Sequence, residues 1–320
     1  MEKIEAFLKK YSWQIVILIL LSNVFLKTLF LNESHLYLDE PYTVFVCQMD
    51  FHEMFAQIKA EHDPNAPMYF IFLHFWIKLF GISEISVKSL SVIFSLITAF
   101  FIFITGRKFF NHTTALVASL LFLFTPVQQH YAQEARCFAM VTMLVSISYY
   151  FYFELLTYQK KWALFGLALV NSLAMYTHYL VVYAFIVQLI GMLLFFKSDR
   201  KAFNFYFLSQ IIAILLFIPQ IIVVIKMNHP GFEGILSKPD IWALNYAFYV
   251  FAGNKILIYV GVPLFLLFYV VSKIIKRPIM SSGASKNHII ILFLLFVLPI
   301  ILNFLVSQLS PFFTIRYMVY

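Results

Sequence analysis

Charge is scarce in this 320-residue chain: Asp, Glu, Lys and Arg together make up 12% of it, about half the share found in a soluble domain. That excludes a soluble globular enzyme and an extended disordered chain, which needs charge to stay solvated. Cysteine is rarer still. Cys47 and Cys137 are the only two, so they cannot form a disulfide framework, and they leave the redox compartment unread. Glycine numbers only 9, too few for a bundle built mainly on glycine-packed helix crossings. Apolar residues fill the chain instead. They reach 62%, with 39 Phe, 19 Tyr and 4 Trp, and the mean hydropathy is +0.86. Apolar runs of spanning length place most of the chain in lipid.

The first run, Trp13 to Leu31, follows a charged start bearing Lys3, Lys9 and Lys10. It is longer than a signal-peptide core, and Asn32-Glu33-Ser34-His35 follows it in place of a small-x-small cleavage site. We read it as an uncleaved first span. Further runs lie near 85–105, 113–129, 137–156, 162–176, 179–196, 204–225, 256–272 and 288–307. The pattern predicts an all-α polytopic membrane protein of about nine transmembrane helices, formed by a single domain over residues 1–320.

Met68–Phe80 is apolar but short, and it contains His74 and Lys78. If it does not span, one side collects 14 basic residues and four acids: the N-terminus, Arg107-Lys108, Lys160-Lys161, Lys197 to Lys201 and Lys273 to Lys286. The positive-inside rule makes that side cytoplasmic. Residues 68–80 then lie flat at the outer interface, within a first extracytoplasmic loop over 32–84. In the same loop Met49–Ala60 reads as a short amphipathic helix, with Phe51, Met54, Phe55 and Ile58 on one stripe and Asp50 as its N-cap. The net charge of +8 is mostly cytoplasmic and faces anionic lipid. It gives no reason to invoke nucleic acid. Seven of the nine histidines (35, 52, 62, 74, 130, 178 and 229) fall outside, which concentrates proton-transfer groups there.

Five outer segments carry candidate chemistry. Asp39-Glu40, just after the first span, is either a general base or metal ligand, or a solvated acid pair that ends a helix; adjacent acids at a membrane surface are costly otherwise. In Tyr131-Ala132-Gln133-Glu134-Ala135-Arg136, Glu134 and Arg136 either pair with each other or serve a ligand, the guanidinium suiting a phosphate. Thr177-His178-Tyr179 ends the fifth span. His62-Asp63-Pro64-Asn65-Ala66-Pro67 is a stiffened turn that Asp63 caps or equips. Arg316-Tyr317 lies near the C-terminus, where an arginine also commonly snorkels to headgroups. Taken together, these segments put carboxylates, a histidine and two arginines at one membrane level, above aromatic spans suited to a long apolar chain. That set points to transfer from a lipid-linked phosphate donor.

Residues 35 to 155 resemble the C-type integral-membrane glycosyltransferases, in the bacterial branch similar to dolichyl-phosphate-mannose protein mannosyltransferases and the aminoarabinose transferases of lipid A. The matching pieces are LDEPYT (38–43), DPNAPMYFIFLHFWIKLFGISEISVKSLS (63–91), GRKFF (106–110), YAQEAR (131–136) and THY (177–179). Asn65-Ala66-Pro67 departs from the common His-Pro-Pro, and Ser89 follows Lys88 where Arg-Leu or Arg-Phe is usual. The resemblance implies a plasma-membrane enzyme with its active site on the extracytoplasmic side. Its donor is a polyprenyl-phosphate-linked sugar and its acceptor a glycan, lipid or protein. Asp39, with Glu40 beside it, matches the catalytic base, and inversion is expected at the sugar carbon. Arg136 is the first choice for the donor phosphate, with His178 and Arg316 as helpers. Glu134, Asp63 and Tyr179 support the site. Glu134 and His178 are the pair that could hold a divalent metal ion, although no tight ligand motif is present.

Relatives continue beyond the position matching Tyr320, so the C-terminal part of the family is expected to be absent. Two other functions compete: a non-catalytic membrane scaffold, and a polyprenyl-lipid transporter or flippase component. A transporter should carry charge inside its spans, and these spans read as nearly charge-free. A bond between Cys47 and Cys137 is left open.

Overall fold

The computed structural model describes residues 2–31, 36–37, 39–60, 66–196, 199–226, 237–253, 286–311 and 313–318. The described residues are almost wholly helical, and no strand occurs among them. The helices are α1 (Glu2–Leu31), α2 (Glu40–Gln48), α3 (Phe51–Ala60), α4 (Met68–Phe80), α5 (Glu84–Phe109), α6 (His112–Phe124), α7 (Pro126–Tyr131), α8 (Phe138–Tyr158), α9 (Lys161–Met175), α10 (Val182–Gly191), α11 (Arg200–Lys226), α12 (Ile241–Ala252) and α13 (Lys286–Ser307). A 3-10 turn, Tyr179–Val181, leads into α10, and a second, Ile315–Met318, follows α13. The fold is that of an all-α polytopic membrane protein.

Most apolar runs become single helices, but two do not, and one helix falls outside the runs. The run at 113–129 is two helices. Thr125 is extended (φ −67°, ψ 131°) and Pro126 opens α7, because proline cannot continue the hydrogen-bond ladder of α6. The freed carbonyl of Leu123 is taken up by Asn23 Nδ2 of α1 at 3.1 Å and Gln129 Nε2 at 2.5 Å. The run at 179–196 is a 3-10 turn, α10 and a π-helical turn, Met192–Phe196. Finally, α12 is a helix outside every run singled out in the sequence. The run at 256–272 lies outside the described residues.

The helix α8 is central. It packs against α5 and α9, and more lightly against α11, while α10 packs on α13. Within its apolar span 78% of residues are buried, against 22% for α11 and α13, whose remaining surface is left to lipid. A polar network ties α8 to its neighbours at mid-depth. Ser148 Oγ donates to Asn171 Oδ1 at 2.5 Å, Gln188 Nε2 to Ser148 Oγ at 2.7 Å, and Asn171 Nδ2 to Gln210 Oε1 at 3.2 Å. One side chain each from α8, α9, α10 and α11 is thereby joined. Such bonds fix register where no water competes. Gly106 lets α5 and α6 touch: a β-carbon there would come within 2.7 Å of the Ala115 backbone.

The spans are not free of charge. Lys27 of α1 is buried and donates to Ser95 Oγ of α5 at 3.0 Å, and Lys88 of α5 is buried as well. Sequence counting missed them because single lysines hardly lower the hydropathy of a long run. Both are inward-facing, as ionisable groups in lipid must be.

The bundle has two unlike ends. At one end, Lys108 closes α5, Lys160 and Lys161 lead into α9 and Lys201 opens α11, and Lys108 pairs with the fully buried Glu154. Arg107 lies over the Trp13 ring, 4.7 Å from its centroid, and Gln159 Nε2 bonds to Asp199 Oδ2. At the other end lie α2, α3, α4, α7, α12 and the final 3-10 turn. Helix α3 takes its expected N-cap, with Asp50 Oδ1 accepting from Glu53 N at 2.8 Å. Of its apolar stripe, Met54 and Ile58 are buried while Phe51 and Phe55 stay exposed. Helix α4 has 13 residues, about 20 Å at 1.5 Å per residue, too short for a hydrocarbon core of about 30 Å. Its start is pinned by Met68 N donating to Tyr176 O at 3.0 Å. It ends at Gly81, whose φ of +81° only glycine adopts without strain.

Candidate active site

The site is built from three remote pieces of chain at the lysine-poor end. The first is the start of α2. Asp39 occupies the N-cap position, yet its side chain makes no capping bond, which leaves the carboxylate for other partners. Thr43, one turn on, donates its hydroxyl to the Asp39 carbonyl at 3.0 Å.

The second piece is the loop between α7 and α8. It turns tightly, Arg136 N donating to Glu134 O at 2.8 Å, and it is held from below by Ser91 Oγ of α5, which donates to the same carbonyl at 2.7 Å. The Tyr69 hydroxyl of α4 lies 3.3 Å from Ser91 Oγ. From this loop Arg136 runs inward and is buried. Its Nη1 donates to Thr43 Oγ1 at 2.7 Å, and its Nη2 lies 3.8 Å from Asp39 Oδ2. Arg136 thus reaches across to α2 rather than pairing with Glu134.

The third piece is the 3-10 turn after α13. Arg316 Nη1 donates to the same oxygen, Asp39 Oδ2, at 2.8 Å. Residues 39, 136 and 316, scattered through the sequence, form one cluster of a carboxylate between two guanidiniums.

The remaining candidates divide. Glu40 is buried, and both its oxygens accept from the backbone: Oε1 from Ala135 N at 2.6 Å and Oε2 from Tyr37 N at 2.9 Å. It ties the first and second pieces together, a positioning arrangement rather than one open to a substrate. Glu134 lies 4.0 Å from His130 Nε2. Burial, and next the nearby Glu40, push its carboxyl up to about 7, against the opposing pull of Arg136 and Arg316. His178 is buried behind the cluster. Burial first, then the two guanidiniums, lowers its imidazole to about 4, so it is neutral at physiological pH and acts only as a neutral donor or acceptor. Tyr179 belongs to a neighbouring contact: its hydroxyl accepts from Gln220 Nε2 of α11 at 2.8 Å. Asp63 and His62 lie outside the described residues.

Among the described residues no group of three or more His, Cys, Asp or Glu side chains gathers closely enough to hold a metal ion. Cys47 and Cys137 are both buried and neither is in a disulfide, so the bond left open by the sequence is not formed. Burial pushes the Cys47 thiol up to about 12. Sequence reasoning missed Thr43, the residue that seats Arg136. Its position four residues after Asp39, on the same helical face, was the available signal.

Residues 63–223, half of the chain, match the dolichyl-phosphate-mannose-protein mannosyltransferase family, and the chain belongs to that family. Comparison with curated proteins gave no match. Among solved structures, the fold is similar to the crystal structure of ArnT from Cupriavidus metallidurans bound to undecaprenyl phosphate. The TM-score is 0.66 at 14% identity, over 97% of this chain and 57% of that one. The chain therefore spans little more than half the length of the protein it resembles.

Proposed function

We propose that the protein is a membrane glycosyltransferase that takes its sugar from a polyprenyl-phosphate carrier and works on the extracytoplasmic face of the plasma membrane. The observation that carries this reading is the cluster itself: Asp39 with Arg316 at 2.8 Å and the buried Arg136 at 3.8 Å. The membership in the mannosyltransferase family and the likeness to ArnT, solved with undecaprenyl phosphate, support the donor class.

Asp39 is the base. It accepts the proton of the acceptor hydroxyl or amine as that group attacks the anomeric carbon from the face opposite the phosphate, and the configuration inverts. The bond between that carbon and the phosphate oxygen breaks, and its electrons leave on the polyprenyl phosphate. Arg136, held rigid by Thr43, and Arg316 stabilise the charge that develops there. Neutral His178 lends a hydrogen bond, and Glu40 holds the two loops in register. Glu134 and His178 remain the pair that could share a divalent ion. The acceptor is an envelope glycan, lipid or protein.

The lysines clustered at the opposite end of the bundle support this side of the membrane. A cysteine replacing the exposed His130 is expected to react with a membrane-impermeant thiol reagent in intact cells, and one replacing Lys160 only after permeabilisation. The reverse pattern would sink the topology. For the chemistry, purified protein is given a polyprenyl-phosphoryl sugar, and release of polyprenyl phosphate is followed. No release by the unaltered protein would favour the scaffold reading, and release that is indifferent to Asp39→Asn would remove Asp39 as the base.

A further inference from the structure

In this structure Arg316 is bound to the very carboxylate proposed as the base. We infer that Arg316 is a switch: it holds Asp39 in the arrangement seen here and moves to the donor phosphate when the lipid arrives, handing Asp39 over to the acceptor. The inference rests on the donor reading above and specifies how the same site is turned on.

The two arginines are unequal in a way that suits this division. Arg136 is buried, and its Nη1 is committed to Thr43, so it is a fixed cation. The Arg316 side chain is one-third exposed, at 34%, and long enough to swing. Its backbone, in contrast, is anchored. Met318 in the same turn is buried against α12 and α13 through Ala247 and Ile300, and Gln308 Nε2 bonds to Pro239 O at 2.7 Å. The moving part is therefore the side chain, not the segment.

The charge bookkeeping of the reaction favours the move. During transfer Asp39 gains a proton and loses its negative charge, while the leaving phosphate gains one. A guanidinium fixed on Asp39 would oppose that flow. One that passes to the phosphate follows it, and it also vacates the Oδ2 lone pair that the acceptor's proton needs. A charge-assisted bond of this kind is strong enough to keep the base covered until an anion competes for it.

The test is binding by the full chain in lipid nanodiscs, with undecaprenyl phosphate as probe and undecaprenol as the uncharged control. Arg316→Gln is expected to weaken phosphate binding about tenfold. Asp39→Asn, which removes the competing carboxylate, is expected to tighten it by about the same factor. In the Arg316→Gln background that tightening should fall below about twofold, because nothing is left to compete for. An equal gain in both backgrounds means that Asp39 acts only through space, and the switch is overturned. Arg316→Lys keeps the charge without the fork and should give an intermediate gain; it replaces the glutamine variant if thermal unfolding shows that one misfolded. A wild-type protein that binds the phosphate no better than the alcohol overturns the donor reading itself, a result distinct from failure of the switch alone.

Discussion

The two ends of the bundle hold similar numbers of ionisable groups and use them in opposite ways. At the lysine-rich end the pairings are separate. Lys108 meets Glu154, Arg107 covers Trp13, and Gln159 meets Asp199. Each ties a helix end to its neighbour. At the other end Asp39, Arg136 and Arg316 share a single carboxylate oxygen, and Glu40, Thr43 and Ser91 spend their hydrogen bonds holding those three in place. Dispersed pairs stabilise a fold; convergent groups supported by others that touch nothing else of consequence make a site. The lesson is that the convergence, not the count of charges, separates the two.

The contrast can be broken by substitution. The largest effect belongs to Asp39→Asn, which should lower sugar transfer about 10³-fold, within the range general-base removal produces, while the protein still inserts and unfolds at a near-normal temperature. Next comes Arg136→Gln, expected to cost about 10²-fold in transfer rate, measured by release of polyprenyl phosphate under single-turnover conditions. If either variant loses stability as fully as it loses activity, the site end is no more than another set of struts.

A third prediction concerns pH. Glu134 titrates near 7 in the folded chain against 4.5 for an ordinary glutamic acid. Between those values the folded state keeps the proton and the unfolded state has lost it. The contribution of Glu134 to stability therefore declines as pH rises from about 4.5 toward 7 and levels off above, while that of His178 runs the other way below about 6.5 and is common to both proteins compared. Glu134→Gln should remove this decline, so thermal unfolding of the two proteins should diverge across that window, the variant being the more stable at pH 8. At the other end, Glu154→Gln should lower the unfolding temperature by a few degrees yet leave transfer within about twofold, since it weakens a pair and not the site. The smallest expectation is a null one: unfolded without reductant, the protein should titrate two free thiols, Cys47 and Cys137.

Much of this was readable in the sequence. Long apolar runs mark α1, α5, α8, α11 and α13 because a helix in lipid needs continuous hydrophobicity, and the lysine-rich loops separate the two ends. Asp39, Arg136 and Arg316 stand out because charge is rare in such a chain. What escaped depends on partners far away in sequence. The fate of Glu40, bonded to backbone 95 residues on, could not be told from its neighbour Asp39 by residue type. Helix α12 is short and follows a loop, so it forms no run of spanning length. The break at Thr125-Pro126 sits inside an apolar stretch, where hydropathy is blind to a missing N–H.

The shortness of α9 has a consequence for how the carrier lipid meets the protein. Its 15 residues rise about 22 Å, and α6, stopped by Pro126, rises less. Both start at the lysine-rich end and both give out beneath the acid and arginines. Such columns fall short of hydrocarbon of ordinary depth, and a leaflet that thins around them is one way to meet that mismatch. On the proposed function, the donor phosphate would then reach Arg136 sideways from within its own leaflet, and the acceptor from the water above.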